Sequence, residues 1–315
     1  MTRALVTGVA GFIGSHLAER LLESGADVIG IDGLTDYYDP ALKRSNLEGP
    51  GRSEGFRFVE GNLRDVDLAR RLAEVDVVYH LAAQPGVRRS WGSEFEVYLN
   101  ENLLATQLLF EAAKDSGIER LVFASSSSVY GDAESLPTPE TAIPRPVSPY
   151  GVTKLAGEHL GRLYFSRLNV PIVMLRYFTV YGPRQRPDMA FTRFIQAAAD
   201  REPIEVFGDG EQSRDFTYVD DAVSATIAAA STGRPGEVYN IAGGSQATVL
   251  EIVERLARLV PEEVKVRHLP AVPGDARHTS ASIEKAAADL GYAPQVDLEE
   301  GLRRQVAAGP RGSGA

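Results

Sequence analysis

Short runs rich in Val, Ile and Leu alternate, through the first half of the chain, with stretches whose apolar residues recur at helical spacing. Residues 4–7, 27–31, 56–60, 76–81 and 121–125 read as strands. Helices are predicted between them, near 14–24, 65–73, 100–116 and 149–168. Strands that alternate with helices give a parallel sheet with right-handed crossovers, covered on both faces. Residues 170–177 and 237–241 read as later strands of the same sheet. Two stretches, about 182–215 and 243–308, carry more Pro, Gly and charge and are expected to form a smaller, interleaved α/β lobe. The predicted organisation is a dinucleotide-binding domain over 1–181, to which 216–242 returns, and a substrate lobe over 182–215 and 243–308. Residues 309–315 are expected to be a disordered tail.

Composition narrows the class. The 315 residues are 43% hydrophobic and 24% charged, the proportions of a folded globular chain. Basic residues number 33 against 43 acidic ones, and the net charge of -10 is spread along the chain, which argues against nucleic-acid or anionic-membrane binding. There is no cysteine, so disulfides, thiolate metal sites and cysteine nucleophiles are excluded together, and a cytoplasmic location is expected. Three glycines break the apolar run that follows Arg3, which argues against a secretory leader, and no stretch reaches the ~20 apolar residues of a membrane span.

Those glycines carry the first chemical signal. Gly8, Gly11 and Gly14 stand at the turn from the first strand into the first helix, where a pyrophosphate approaches free backbone N–H groups. Phe12 and Ile13 lie within the turn. The spacing is GxxGxxG rather than GxGxxG, but Asp32 ends the second strand, where a carboxylate binds the adenine ribose diol and repels a 2′-phosphate. NAD is therefore expected in preference to NADP. Ligands of open α/β sheets sit beyond the carboxyl ends of the strands, which adds Asn62, Leu63, Leu81, Ala82, Ala83 and Gln84 as pocket candidates.

The second signal is Tyr150 and Lys154, four apart on one face of a predicted helix. A phenol must lose about three pKa units, ~4 kcal/mol, to act as a base at neutral pH. A neighbouring ammonium favours that phenolate, so Lys154 is expected to lower Tyr150. Ser125 to Ser128 follow the strand at 121–125, and a hydroxyl there can bridge tyrosine and substrate.

With these residues in view, the chain resembles the extended short-chain dehydrogenase/reductases, among them the nucleotide-sugar epimerases and dehydratases. The resemblance spans essentially the whole sequence: VTGVAGFIGSHL, HLAAQPGVRRS, FASSSSVYGD, SPYGVTKLAGE, LRYFTVYGPRQRPDMA, DGEQSRDFTYVDDAV and YNIAGG. It implies a Rossmann-type domain that holds NAD, a lobe that binds a uridine diphosphate sugar, and a homodimer packed through helices near 100–115 and 150–167. It implies Tyr150 as the base for the sugar 4-OH, Lys154 also on the nicotinamide ribose, Ser126 on the 4-oxygen with Ser127 beside it, and Asn102 and Tyr177 along the cofactor. On the substrate side it implies Gln84, Arg88, Ser128, Thr179, Arg186, Arg193, Arg214, Asp275 and Arg277, and no metal. Asn62 departs from the family's usual aspartate, and Thr179 from the asparagine of galactose epimerases.

The same comparison limits the reaction. Dehydratases of this family carry an Asp-Glu pair where this chain has Ser127 and Ser128, and decarboxylases place an acid at the second position. Epimerisation at C4 through a transient ketone needs neither. The stretches DGLTDYYDPALKRSNL and YFTVYGPRQRPDMA look most like UDP-glucuronate 4-epimerases, and Thr179, Arg184, Arg186 and Arg88 offer donors for a 6-carboxylate. The alternatives are a UDP-glucose or UDP-N-acetylhexosamine 4-epimerase, a UDP-glucuronate decarboxylase, and a non-catalytic NAD-binding sensor.

Overall fold

The computed structural model describes residues 2–270 and 276–309. Asp275 and nearly all of the predicted tail lie outside the described residues. In the first part of the chain, strands β1 (Arg3–Thr7), β2 (Asp27–Asp32), β3 (Phe56–Glu60), β4 (Val77–His80), β5 (Arg120–Ser126) and β6 (Ile172–Tyr177) alternate with helices α1 (Phe12–Glu23), α2 (Pro40–Asn46), α3 (Leu68–Leu72), α4 (Phe95–Tyr98), α5 (Ala105–Ala113) and α6 (Pro149–Leu168). Then come β7 (Val180–Tyr181), α7 (Ala190–Ala199), β8 (Ile204–Phe207), β9 (Ser213–Tyr218), α8 (Val219–Thr232), β10 (Val238–Ile241), β11 (Ser245–Thr248), α9 (Val249–Leu259), β12 (Val266–Leu269), α10 (Glu284–Leu290) and α11 (Leu298–Ala307).

Seven strands form one sheet in the order β10-β6-β5-β4-β1-β2-β3, all parallel. This is a doubly wound Rossmann-type sheet, and its order reverses between β1 and β4. Alternate side chains of each strand feed opposite layers. Ala4, Val6, Val28, Val122 and Val173 join α1 and α8 in one core, while Leu5, Ile29, Leu121 and Ile172 join α5 and α6 in the other. The remaining strands make a three-stranded sheet, β11-β9-β7, and a two-stranded one, β12-β8. Val180 and Tyr181, grouped with the first domain from sequence, pair with Thr217 and Tyr218 instead.

Two predicted helices differ in detail. The helix expected from residue 100 begins as a π-helical segment, Leu99–Leu104, that turns Asn102 inward. The helix expected from 65 starts at Leu68, because the Asp67 carboxylate caps it by accepting from Arg70 N.

Candidate active site

The carboxyl ends of β1, β2, β4 and β5 open on a cavity of about 230 Å³ lined by the glycine turn, Asp32, the loops after β3 and β4, Tyr150, Lys154, Tyr177 and Arg186. The glycine turn is compact. Gly8 has φ +71°, and a side chain there would meet the backbone of Ala82; one at Gly14 would strike the Gly8 carbonyl. No side chain caps α1, and the amides of Phe12, Ile13 and Gly14 have no acceptor among the described residues while facing the cavity. Such a helix start fits a pyrophosphate.

Asp32 sits at the other end. Its oxygens accept from Ala10 N at 3.0 Å and Leu34 N at 2.8 Å, and burial raises its pKa against those bonds and the charge of Lys43. Lys43, which the sequence reading did not single out, lies buried on α2 and gives Nζ to Thr35 O at 2.7 Å and Oγ1 at 2.9 Å. Burial lowers its pKa, opposed by Asp32 and Asp36. Thr35, Tyr37, Tyr38 and Glu101 line the same cavity and were also missed. The available signal was a pair of tyrosines between Gly33 and Pro40, just past the carboxylate, in a segment without strand or helix periodicity.

The loop after β4 is held by a directed hydrogen-bond relay. Ala82 N donates to Thr7 Oγ1 (3.2 Å), Thr7 pairs with His80 Nδ1 (2.8 Å), His80 Nε2 meets Thr106 Oγ1 (3.0 Å), and Thr106 donates to Asn102 O at 2.5 Å. The two fixed ends assign the proton to Nε2. Burial drives the His80 pKa down to about 3, helped by Lys154, so the ring stays neutral and the relay intact. Asn102 completes the anchor, accepting from Gln84 N at 2.6 Å and donating to Gln84 O and Thr153 Oγ1, both at 3.1 Å. It stands behind the cavity wall rather than in it.

Tyr150 and Lys154 occupy the start of α6, which Ser148 Oγ caps by accepting from Gly151 N. Burial raises the Tyr150 pKa; a hydrogen bond with Ser126 and the charge of Arg186 lower it. Lys154, buried, turns Nζ to Ala124 O at 2.8 Å, and burial pushes its pKa down to about 8 against the pull of Glu158. The Lys154 ammonium gives one of its three N–H donors to the end of β5, and the charge of Arg186, which the sequence did not suggest as acting on Tyr150, also lowers the phenol. Ser126 Oγ contacts Ser128 Oγ and accepts from Ser128 N, both at 3.1 Å, while Ser127 opens the short turn beyond.

The other substrate candidates lie at several places. Gln84 and Arg186 line the cavity, and Arg186 forms a two-point pair with Asp188. Arg88 and Arg193 stack on Phe207, 4.3 and 5.6 Å from its ring centre, and Arg193 pairs with Glu205. Nearby, Arg277 binds Asp209 at 2.8 Å, and Arg214 donates to the carbonyls of Ser213 and Arg277. Thr179 bridges β6 and β7 and accepts from Thr217 N through its carbonyl. Arg184 departs from expectation: it reaches across to α1, binding Ser15 Oγ at 3.2 Å and Glu19 at 2.7 Å, away from the sugar pocket.

A glycine turn that fits pyrophosphate, a ribose carboxylate and a Tyr/Lys pair in one cleft define a site for hydride chemistry on a nicotinamide dinucleotide in a Rossmann-type fold. The family model "NAD dependent epimerase/dehydratase family" matches residues 4–242, and the chain belongs to that family. It is 45% identical over 309 residues to the uncharacterised UDP-glucose epimerase YtcB of Bacillus subtilis, covering 97% of each. It is 40% identical over 306 residues to the UDP-glucuronate 4-epimerase of Thermodesulfobacterium geofontis, covering 96% of this chain and 94% of the relative. The crystal structure of UDP-glucuronic acid 4-epimerase from Bacillus cereus, in complex with UDP-glucuronic acid and NAD, matches with a TM-score of 0.94 and 45% identity over 97% of this chain and 98% of the other.

Proposed function

We propose that the protein is an isomerase that inverts C4 of UDP-glucuronate to give UDP-galacturonate, with NAD held in the pocket. The observation that carries this reading is the Arg186 guanidinium, which lines the same cavity as Tyr150 and acts electrostatically on it. An arginine fork suits a sugar carboxylate, which a neutral hexose lacks. The Bacillus cereus and Thermodesulfobacterium geofontis relatives, both UDP-glucuronate 4-epimerases by name, support it.

The amides of Phe12, Ile13 and Gly14 would hold the pyrophosphate, Asp32 the adenine ribose, and Lys154 the nicotinamide ribose. The chemistry that bound NAD supplies is reversible hydride transfer at C4. Tyr150 takes the 4-OH proton and returns it, and Ser126 holds the 4-oxygen beside the phenol. Ser127 and Ser128 have no acid–base capacity to remove the C5 proton, and the Arg186 fork restrains the carboxylate so that the ketone keeps its 6-carbon. Arg193, Arg214 and Arg277 of the substrate lobe, with Arg88 reaching Phe207 from the loop after β4, would take the uridine diphosphate. We read the protein as a homodimer: α4, the π-helical segment Leu99–Leu104 and α6 pack together and carry exposed Val97, Leu104, Val152 and Leu163. No helix among the described residues is long and apolar enough to cross a membrane. The absence of cysteine suits the cytoplasm.

A second reading, a neutral UDP-hexose 4-epimerase, draws on the Arg186–Asp188 pair, which offsets the positive charge. Arg186→Ala separates the two. A hydrogen bond to a charged group is worth ~1.5–3 kcal/mol, so efficiency on UDP-glucuronate should fall roughly 10- to 150-fold, with a UDP-pentose by-product as the carboxylate loses its restraint. Equal losses on acidic and neutral sugars would show that Arg186 positions something common to both, such as the diphosphate, and faster turnover of UDP-glucose than of UDP-glucuronate by the unmodified enzyme would favour the second reading.

A further inference from the structure

One side chain ties the cofactor loop to the sugar loop. Tyr37 follows Asp32 in the segment after β2, and its phenol donates to Asp188 Oδ2 at 3.1 Å. The same carboxylate takes Arg186 Nε on Oδ1 at 2.9 Å and Nη2 on Oδ2 at 3.0 Å. The Arg186 guanidinium lies 6.0 Å from the Tyr37 ring centre, and that of Arg89 lies 4.8 Å from it. Arg89 is itself fixed by Glu94 at 2.9 Å. The phenol rests on Gly86, which has φ +101° and where any side chain would collide with the Tyr37 oxygen. Three loops therefore meet at this ring: 33–39, 85–90 and 184–189.

We propose that Tyr37 is a specificity-determining residue: acting through Asp188, it fixes the Arg186 fork so that its free edge faces the sugar carboxylate. This rests on the uronate reading given above. A guanidinium has five N–H donors in a rigid plane. Asp188 uses the Nε–Nη2 edge, and the Nη1 side makes no hydrogen bond among the described residues. Asp188 thus orients the arginine without blocking it. The Asp188 side chain is 38% exposed, and an exposed ion pair holds its geometry weakly unless a further bond restrains it. Tyr37 supplies that bond. Burial pushes the phenol pKa up to about 12, so it remains a donor through the neutral range. Selectivity for the acid then comes from the direction of the fork, since Asp188 offsets much of the charge. A neutral hexose makes no use of that direction.

The test is titration calorimetry on the NAD-loaded protein with UDP-glucuronate, UDP-glucose and UDP, comparing wild type with Tyr37→Phe, which keeps the ring and removes the donor. Losing one hydrogen bond should raise the UDP-glucuronate dissociation constant about three- to tenfold and leave the other two within about twofold. Asp188→Asn, which keeps an acceptor but not the ion pair, should shift the same ligand in the same direction. An unchanged UDP-glucuronate constant in Tyr37→Phe, or equal weakening of all three ligands, overturns the role of Tyr37. A wild-type protein that binds UDP-glucose as tightly as UDP-glucuronate overturns the uronate reading itself, whatever the variants do.

Discussion

Removing the Ser126 hydroxyl isolates what that residue does for Tyr150. Three influences act on the phenol: burial raises its pKa, while the Ser126 hydrogen bond and the Arg186 charge lower it. Catalysis needs the phenolate, so every influence that lowers the pKa extends activity toward lower pH. Ser126→Ala deletes one of the two. The cost is one hydrogen bond to a charged oxygen, ~1.5–3 kcal/mol, or roughly 10- to 150-fold in kcat/KM at neutral pH. The sign is fixed: with less support for the anion the acid limb moves to higher pH, and activity is partly recovered as pH rises. Recovery is capped on the alkaline side, because the Lys154 ammonium, with its pKa pushed down to about 8, is lost there. The assay is kcat/KM for UDP-glucuronate against pH, in wild type and Ser126→Ala. A loss by the same factor at every pH, with the acid limb unmoved, would refute the argument and leave Ser126 bonded to the substrate alone.

Tyr150→Phe keeps the ring and the edge-on contact with Tyr98, so the fold should survive by circular dichroism while turnover falls ~10²–10⁴-fold. Asp32→Asn should release NAD during purification and narrow the preference over NADP, measured as nucleotide freed on denaturation and as reloading with either form. Glu158, buried, accepts from Arg176 Nε at 2.9 Å and Nη2 at 2.6 Å and from Ser125 Oγ at 2.5 Å, so Glu158→Ala strands a buried guanidinium and should cost about 3–5 kcal/mol of stability in denaturant unfolding. A melting curve like that of wild type would show the pair to be dispensable.

The strands of the main sheet were legible because parallel strands buried on both faces leave continuous apolar runs such as Leu121–Ala124. The Tyr150/Lys154 pair was legible because helical spacing puts both on one face. Other features depend on contacts distant in sequence. Asn102 reads as one polar residue in an amphipathic helix; only the π-helical turn and its bonds to Gln84 and Thr153 give it a place. Nothing local tells Arg184 from Arg186, yet one reaches Glu19 on α1 and the other turns to the cavity. The direction of the Lys154 ammonium was hidden for the same reason, because its partner is a backbone carbonyl of another element. Beyond residue 182 only β10 was legible; the other elements were obscured by the high proline, glycine and charge content of these stretches, and helices α7, α9 and α11 emerge there only with the strands they cover.

The central claim is tested most directly by incubating the purified protein, without added nucleotide, with UDP-glucuronate and separately with UDP-glucose, and separating the products by anion exchange. The account predicts that UDP-glucuronate converts to UDP-galacturonate until their ratio is constant, with no UDP-pentose and with UDP-glucose turned over far more slowly. Faster conversion of UDP-glucose than of UDP-glucuronate, or a UDP-pentose as the main product, would contradict it.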